Sequence, residues 1–416
     1  MAPLGTREQP QVRAKRTMKE AIEIFWQKTC RLNWAVLLST LVLAGAGVMF
    51  VRSACSARAT EALRQLWVGQ LEFAGWGVLL MGVLAYWDYR RWARVSGWVY
   101  AGVLAALILV LVPGLGVARM GARRWLFGLQ PSEPAKLAVI LMLSWVLSRW
   151  GERMRGLRGL LVCGVLAGVP AVLILAEPDL GTALVLGPTV LAMLFVSRVS
   201  PKVLGVGVLL VALAVGYELT LVKVAKAEGV DPARSERLIR WTGLREHQVR
   251  RVETFLYPMR DLHANGYNAY QSEIAVGSGG MFGKGYGRGV QHRLGYLPPV
   301  VSMNDFIFPV VAEETGFAGS VVLLGLYLFG ILVPGSIIAL RCRDDLGRLL
   351  CVGVLTLLFC HVFINIGMTV RIVPITGLPL PFISQGGTFM LVMMASMGVL
   401  QSVAIHGRIS EAVFRH

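Results

Sequence analysis

The chain has 416 residues, 55% hydrophobic and only 16% charged, with a formal net charge of +17. Apolar stretches of about 18–22 residues recur along it, the length a helix needs to cross a bilayer core. This excludes a water-soluble globular protein. The absence of alternating hydrophobicity excludes a membrane β-barrel, because backbone polar groups in hydrocarbon are satisfied only within helices or closed sheets.

The expected fold is an all-α polytopic integral membrane protein of about ten transmembrane helices. The spans fall at 33–51, 69–87, 95–116, 133–148, 159–176, 182–198, 203–221, 307–335, 349–369 and 385–405. Residues 1–32 form an N-terminal tail in which Arg7, Arg13, Lys15, Arg16 and Lys19 precede the first span. That offset is longer than a signal peptide's basic region, and no A-x-A-like cleavage site follows. MKEAIEIFWQK at 18–28 reads either as an amphipathic surface helix or as disordered tail. Spans one to seven occupy 33–221, a large loop covers 222–305, spans eight to ten cover 306–405, and 406–416 is a C-terminal tail.

Short loops reveal orientation, since positive charge stays in the cytoplasm. Arg90, Arg91 and Arg94 follow span two, and Arg149, Arg153, Arg155 and Arg158 follow span four. Arg198 and Lys202 follow span six, and Arg341, Arg343 and Arg348 follow span eight. Both termini are therefore expected in the cytoplasm, with the odd-numbered exits outside. The net charge is a topology signal; no nucleic-acid motif accompanies it. The six cysteines are scattered without C-x-x-C spacing, so neither a disulfide framework nor a thiolate metal site is expected.

The outer segments carry the polar residues. GARRWLFGLQPSEPAK at 121–136 places Arg124 where a short outer loop normally avoids positive charge. In the same segment Glu133 and Lys136 are three apart at a helix start and pair on one face, a structural role unless a ligand uses them. AEPDLGTA at 176–183 makes Asp179 a candidate N-cap of span six. The large loop is basic, and HQVRRVETFLYPMRD at 247–261 has the apolar spacing of an amphipathic helix bearing Arg250 and Arg251. NGYNAYQSEIAVGSGGMFGKGYGRG at 265–289 is glycine-dense. It reads either as a backbone nest for phosphate oxygens or as a flexible hairpin-like loop, and it lacks the G-x-x-x-x-G-K-[ST] pattern. NDFIFPVVAEETGF at 304–317 opens span eight with Asp305, Glu313 and Glu314. RIVPITGLPLPFISQGG at 371–387 is irregular Pro/Gly backbone, tolerated at membrane depth only where protein or a water-filled cavity covers it.

Taken in order, GARRW, QPSE-x-x-K, PDLGTA, QS-x-IAVGSGG-x-x-GKG, DFIF with AEE-x-GF-x-G, and N-x-GM with P-x-TGLPLPFIS-x-GG resemble the SEDS family. These are the shape, elongation, division and sporulation proteins, and the resemblance spans nearly all ten helices. PITGLPLPFIS is more similar to the elongation-type, RodA-like members than to the division-type, FtsW-like ones. The chain departs from the family pattern at LPPVVSMNDF, where Pro299 stands in place of an expected Glu and Asn304 in place of Thr, and Glu177 stands where Gln is common.

The resemblance implies a peptidoglycan glycosyltransferase that polymerises lipid II into glycan strands and releases undecaprenyl pyrophosphate. It implies Asp305 as the catalytic carboxylate, taking the proton of the attacking hydroxyl. For the pyrophosphate the candidates are Arg124 first, then Lys136 and Lys284, with Arg250 or Arg251 reaching from the amphipathic helix. Glu133, Gln271, Ser272 and Ser384 complete the expected substrate site, while Glu314 and Asp179 are expected to be structural. A divalent cation, Mg or Mn, held by Asp305 and the pyrophosphate is a further expectation. The resemblance also implies a class B penicillin-binding protein as partner, since no S-x-x-K nucleophile is present for crosslinking, and residence in the bacterial inner membrane. The competing readings are a lipid II flippase and a non-catalytic scaffold.

Overall fold

The computed structural model describes residues 20, 23–55, 65–119, 122–154, 156–177, 179–197, 199–227, 230–242, 246–257 and 265–407. The basic tail up to residue 19 and the tail beyond 407 lie outside the described residues, as do 258–264 at the end of the expected amphipathic segment.

Among the described residues ten long helices form a bundle. They are α1 (Trp34–Cys55), α2 (Leu66–Tyr86), α3 (Ser96–Leu111), α4 (Ser132–Trp150), α5 (Leu157–Ala176), α6 (Leu180–Val196), α7 (Pro201–Ala225), α8 (Ile307–Arg341), α9 (Asp345–Thr369) and α10 (Gly387–His406). Seven of them, α1, α2, α5, α7, α8, α9 and α10, are long and apolar enough to cross a membrane. The remaining three are shorter or carry charge: α3 and α6 have 16 and 17 residues, and α4 contains Glu133, Lys136 and Arg149. The chain is a polytopic helical membrane protein.

The helices are not equivalent. In α10 94% of the apolar window is buried and in α9 72%, against 12% in α7, so α9 and α10 form the centre and α7 the periphery. α10 packs along α2, and α9 along α4 and α6. The α2–α10 contact is close because Gly398 has no side chain: a Cβ there would stand 2.8 Å from the Met81 carbonyl oxygen.

α8 is broken at Gly316, whose φ of 70° lies in the left-handed region, and it runs through a π-helical stretch at Leu326–Leu332. The break frees backbone groups, and the glycine-dense segment satisfies them. Phe317 and Ala318 N–H donate to the carbonyls of Gly280 and Met281, both at 2.9 Å, while Lys284 and Gly285 N–H donate to the carbonyls of Glu313 and Glu314, both at 3.0 Å. Helix break and glycine segment are two halves of one backbone junction. Two features of the 265–289 stretch therefore differ from the nest-or-loop expectation. Its first half is the helix Asn265–Ser278, and its glycines serve backbone-to-backbone packing.

The amphipathic segment is helical over Glu246–Leu256, preceded by a second surface helix at Pro232–Thr242. Residues 23–30 are helical ahead of α1. A two-stranded antiparallel ribbon, β1 (Val117–Arg119) and β2 (Ala122–Trp125), fills the connection between α3 and α4, where periodicity predicted only loop.

Candidate active site

Asp305 lies in the turn between the short helix Pro299–Met303 and α8. The turn is held from two sides. Asn365 of α9 donates its amide to the carbonyls of Asp305 (2.9 Å) and Leu378 (2.7 Å). Ser384 Oγ donates to the Asn304 carbonyl (2.6 Å) while accepting from Leu380 N–H (2.7 Å), and Gln385 N–H donates to the Met303 carbonyl (2.9 Å). The irregular 371–386 segment is thus a wall of the site. Gly377, at φ 78°, leaves room for the carboxylate, since a Cβ there would stand 3.1 Å from Asp305 Oδ2.

Around Asp305 the loops converge. Arg251, from the helix Glu246–Leu256, donates Nη1 to the Thr376 carbonyl at 2.8 Å. Arg124 at the end of β2 donates Nε to the Glu177 carbonyl at 3.1 Å. Asp179 caps α6, accepting from Thr182 N–H (3.2 Å) and Thr182 Oγ (3.0 Å), and Gln130 adds a bond at 3.2 Å. These groups act on one another. Burial pushes the Asp305 carboxyl up to about 7, Asp179 pushes it further, and the Arg251 and Arg124 guanidiniums pull it back. Burial and the neighbouring Arg124 lower Arg251, opposed by Asp305 and Asp179. Glu177 is 1% exposed, and neither of its carboxyl oxygens has a hydrogen-bond partner among the described residues. Burial and Asp179 push it up to about 8, with Arg124 opposing. A half-buried carboxyl poised near neutrality between two arginines suits a proton acceptor working beside an anionic group.

Other sequence candidates fall elsewhere. Lys136 is fully buried, ion-paired with Glu133 at 2.8 Å and 3.0 Å from His361 Nε2. His361 Nδ1 faces the Pro379 carbonyl at 3.2 Å, which makes Nδ1 the donor and leaves Nε2 to accept from Lys136. Lys136 supports the 371–386 wall from beneath. Lys284 is ion-paired with Glu313 at 2.6 Å, and Glu313 also accepts from Val290 N–H at 2.7 Å. Glu314 accepts from the Ser53 hydroxyl of α1. Lys284, Glu313 and Glu314 thus lock the glycine segment to α8. Ser272 Oγ donates to the Thr369 carbonyl at 2.8 Å and ties the helix Asn265–Ser278, which also carries Gln271, to the end of α9. Arg250 is exposed, whereas its neighbour Arg251 turns into the site.

Sequence reasoning assigned no role to Asn365 or His361. The signal was available: two polar residues four apart on an otherwise apolar helix share one face, and polar groups at membrane depth mark function or a buried network.

No group of three or more His, Cys, Asp or Glu side chains among the described residues is arranged to hold a metal. The Asp179 carboxylate is engaged by Thr182 and Gln130, which leaves the carboxylates of Asp305 and Glu177 as the oxygen donors that feel the arginines. Such a carboxylate matches a hard cation that draws its remaining ligands from phosphate and water.

Fold and site together define a multi-pass membrane protein with an acid–arginine centre at one end of its bundle. The chain belongs to the FtsW/RodA/SpoVE family of cell cycle proteins, whose model matches residues 33–409. The peptidoglycan glycosyltransferase MrdB of Escherichia coli (strain K12) is 35% identical over 388 residues, covering 92% of this chain and 95% of that protein. The probable peptidoglycan glycosyltransferase FtsW of Geobacter metallireducens is 33% identical, covering 90% and 95%. Among solved structures, a chain of a peptidoglycan synthase complex in which polymerization and crosslinking are structurally coordinated superposes with a TM-score of 0.71 at 28% identity, covering 90% of this chain and 97% of its own. The rod shape determining protein RodA of Thermus thermophilus superposes with a TM-score of 0.60 at 25% identity, covering 91% and 98%.

Proposed function

We propose that this chain is a peptidoglycan glycosyltransferase that joins lipid II units into glycan strands for cell elongation. The observation that carries this reading is the Asp305 turn, pinned by Asn365 and Ser384 to the 371–386 wall, with Arg251 docked on Thr376 and Arg124 on Glu177 around it. The hydroxyl of one lipid-linked sugar attacks the anomeric carbon of the other chain. Its proton passes to Asp305, and the bond to undecaprenyl pyrophosphate breaks. Arg124 and Arg251 balance the charge that collects on the leaving pyrophosphate. A divalent cation held by Asp305 and the phosphates would add to that neutralisation. The elongation-type assignment is supported by the similarity to MrdB and RodA.

The proposed setting is the bacterial inner membrane, with both termini cytoplasmic and the Asp305 end outside, as the basic even-numbered exits suggest. The partner is a class B penicillin-binding protein, which supplies the crosslinking; similarity to a chain of a synthase complex supports this.

The test is polymerisation of purified lipid II by the chain co-purified with its candidate transpeptidase, comparing wild type with Asp305→Asn. Long strands from wild type alone support the reading, whereas equal product from both removes Asp305 from the reaction. A flippase or scaffold retains its function in the Asn variant, which separates those readings from polymerisation.

A further inference from the structure

At the end of the bundle opposite Asp305, a cleft of about 500 Å3 opens between the helical residues 23–30 and the last residues of α2 and α10. Lys28, Tyr86, Asp88, Arg91 and His406 line it. Lys28, Arg90 and Arg91 stand against Asp88 and Asp344, which leaves one net positive charge. Asp88 lies 3.7 Å from Arg90, which also pairs with Asp344 at 3.1 Å, so both carboxylates serve Arg90. Lys28 Nζ donates to the Tyr86 carbonyl at 3.2 Å and has no carboxylate partner among the described residues. Arg91 is exposed; its backbone N–H donates to the Asp88 carbonyl at 2.9 Å, while its side chain makes neither a hydrogen bond nor an ion pair among the described residues. His406 Nδ1 donates to the Ser402 carbonyl at 3.0 Å, which makes Nε2 of the neutral ring an acceptor; Nε2 is buried without a partner.

The rim identifies the kind of anion. Trp87 lines the cleft and is exposed, and the exposed Phe25 stacks on Tyr86 with ring centroids 5.1 Å apart. Exposed aromatics where apolar helices end mark the depth of lipid headgroups. Two cations without a carboxylate partner and one net positive charge inside such a rim fit a singly charged phosphodiester whose remainder is apolar, and a free acceptor at Nε2 fits a headgroup that carries a hydroxyl.

We propose that this cleft is a binding site for an anionic phospholipid with a hydroxyl-bearing headgroup, its phosphate held by Lys28 and Arg91 and its hydroxyl by His406 Nε2. The site is separate from the Asp305 centre and stands whether or not the proposed reaction does.

The experiment follows the thermal unfolding midpoint of the purified full chain in detergent, titrated with dioleoylphosphatidylglycerol, dioleoylphosphatidylcholine or inorganic phosphate. The expected result is a saturable rise with phosphatidylglycerol and none with phosphatidylcholine or phosphate. Replacing both cations, Lys28→Gln with Arg91→Gln, is expected to raise the half-saturating phosphatidylglycerol concentration roughly 30-fold, and Arg91→Gln alone about 5-fold. The Arg91 side chain is exposed and its backbone hydrogen bond survives substitution, so the single variant keeps the test open if the double variant unfolds. Arg341→Gln, an exposed cation at the same end of the bundle, is the control and is expected to change nothing. Unchanged half-saturation in the Arg91 variant, or equal weakening by Arg341→Gln, overturns the site. Equal protection by inorganic phosphate overturns the lipid as its occupant.

Discussion

Asn365 grips Asp305 by its backbone: the Asn365 amide donates 2.9 Å to the Asp305 carbonyl and 2.7 Å to that of Leu378, pinning the acid-bearing turn to the 371–386 wall. The acid's position is therefore set from α9. Replacing Asn365 by Ala leaves two carbonyls unsatisfied, at about 1–3 kcal/mol each where buried. We expect a fall in kcat for lipid II polymerisation of about 10–100-fold with little change in KM, because a displaced base costs rate before it costs binding. Rates measured at saturating lipid II check this; an unchanged kcat refutes it.

Because a base must be deprotonated to act, the polymerisation rate should rise with pH and level off above about 7, where burial has pushed the Asp305 carboxyl. Stability runs the other way. A carboxyl raised on folding contributes stability below its unfolded value that is lost as pH climbs through its folded value. Asp305→Asn should therefore be inactive yet more stable than wild type at pH 8, by on the order of 2 kcal/mol after allowance for partial exposure. The difference should vanish below about pH 4. Melting curves at both pH values test the sign.

The two arginines hold the acid down, so removing one lets it rise. Arg251→Gln should move the rising limb of the pH–rate profile upward and raise the KM for lipid II, since a phosphate contact and a pull on Asp305 disappear together. Arg250→Gln, one residue away and exposed, should do neither. Identical behaviour of the two variants would contradict the placement of Arg251 in the site.

Lys136 and Glu133 form a buried pair at 2.8 Å. Lys136→Met alone strands a buried carboxylate and should destabilise the protein by about 3–5 kcal/mol, whereas Lys136→Met with Glu133→Gln should recover most of that loss. Melting temperatures of the single and double variants decide it. No recovery would mean that Lys136 matters for something other than its partner.

At Gly316 a side chain meets both a left-handed φ of 70° and the Gly283 nitrogen, 2.3 Å from where its Cβ would lie. Gly316→Ala should open the junction between α8 and the glycine segment and lower stability by roughly 2–3 kcal/mol. Gly325→Ala, in the same helix with nothing within 4 Å, should be neutral or stabilising. The pair of variants separates strain from a general cost of substitution in α8.

Much of the molecule is legible from local pattern. The ten helices start and stop within a few residues of their apolar runs, because a helix in hydrocarbon satisfies its own backbone and needs no information from elsewhere. The position of Asp305 at the head of α8 is legible too, from an acid that opens an apolar run. What the chain's order does not contain is which side of a polar segment meets which neighbour. Arg250 and Arg251 are equivalent in sequence, and only the docking of their helix against Thr376 turns one inward. Lys136 and Lys284 read as pyrophosphate ligands until packing sets His361 against the Lys136–Glu133 pair and Glu313 against Lys284. The glycines of 279–289 read as a nest until the break at Gly316 supplies the orphaned backbone groups that they satisfy. Apart from Glu133, three residues from Lys136 and already legible as its partner, the deciding groups are remote in sequence, so the composition of the helices is a property of the chain alone, while most of the pairing of its charges is a property of the fold.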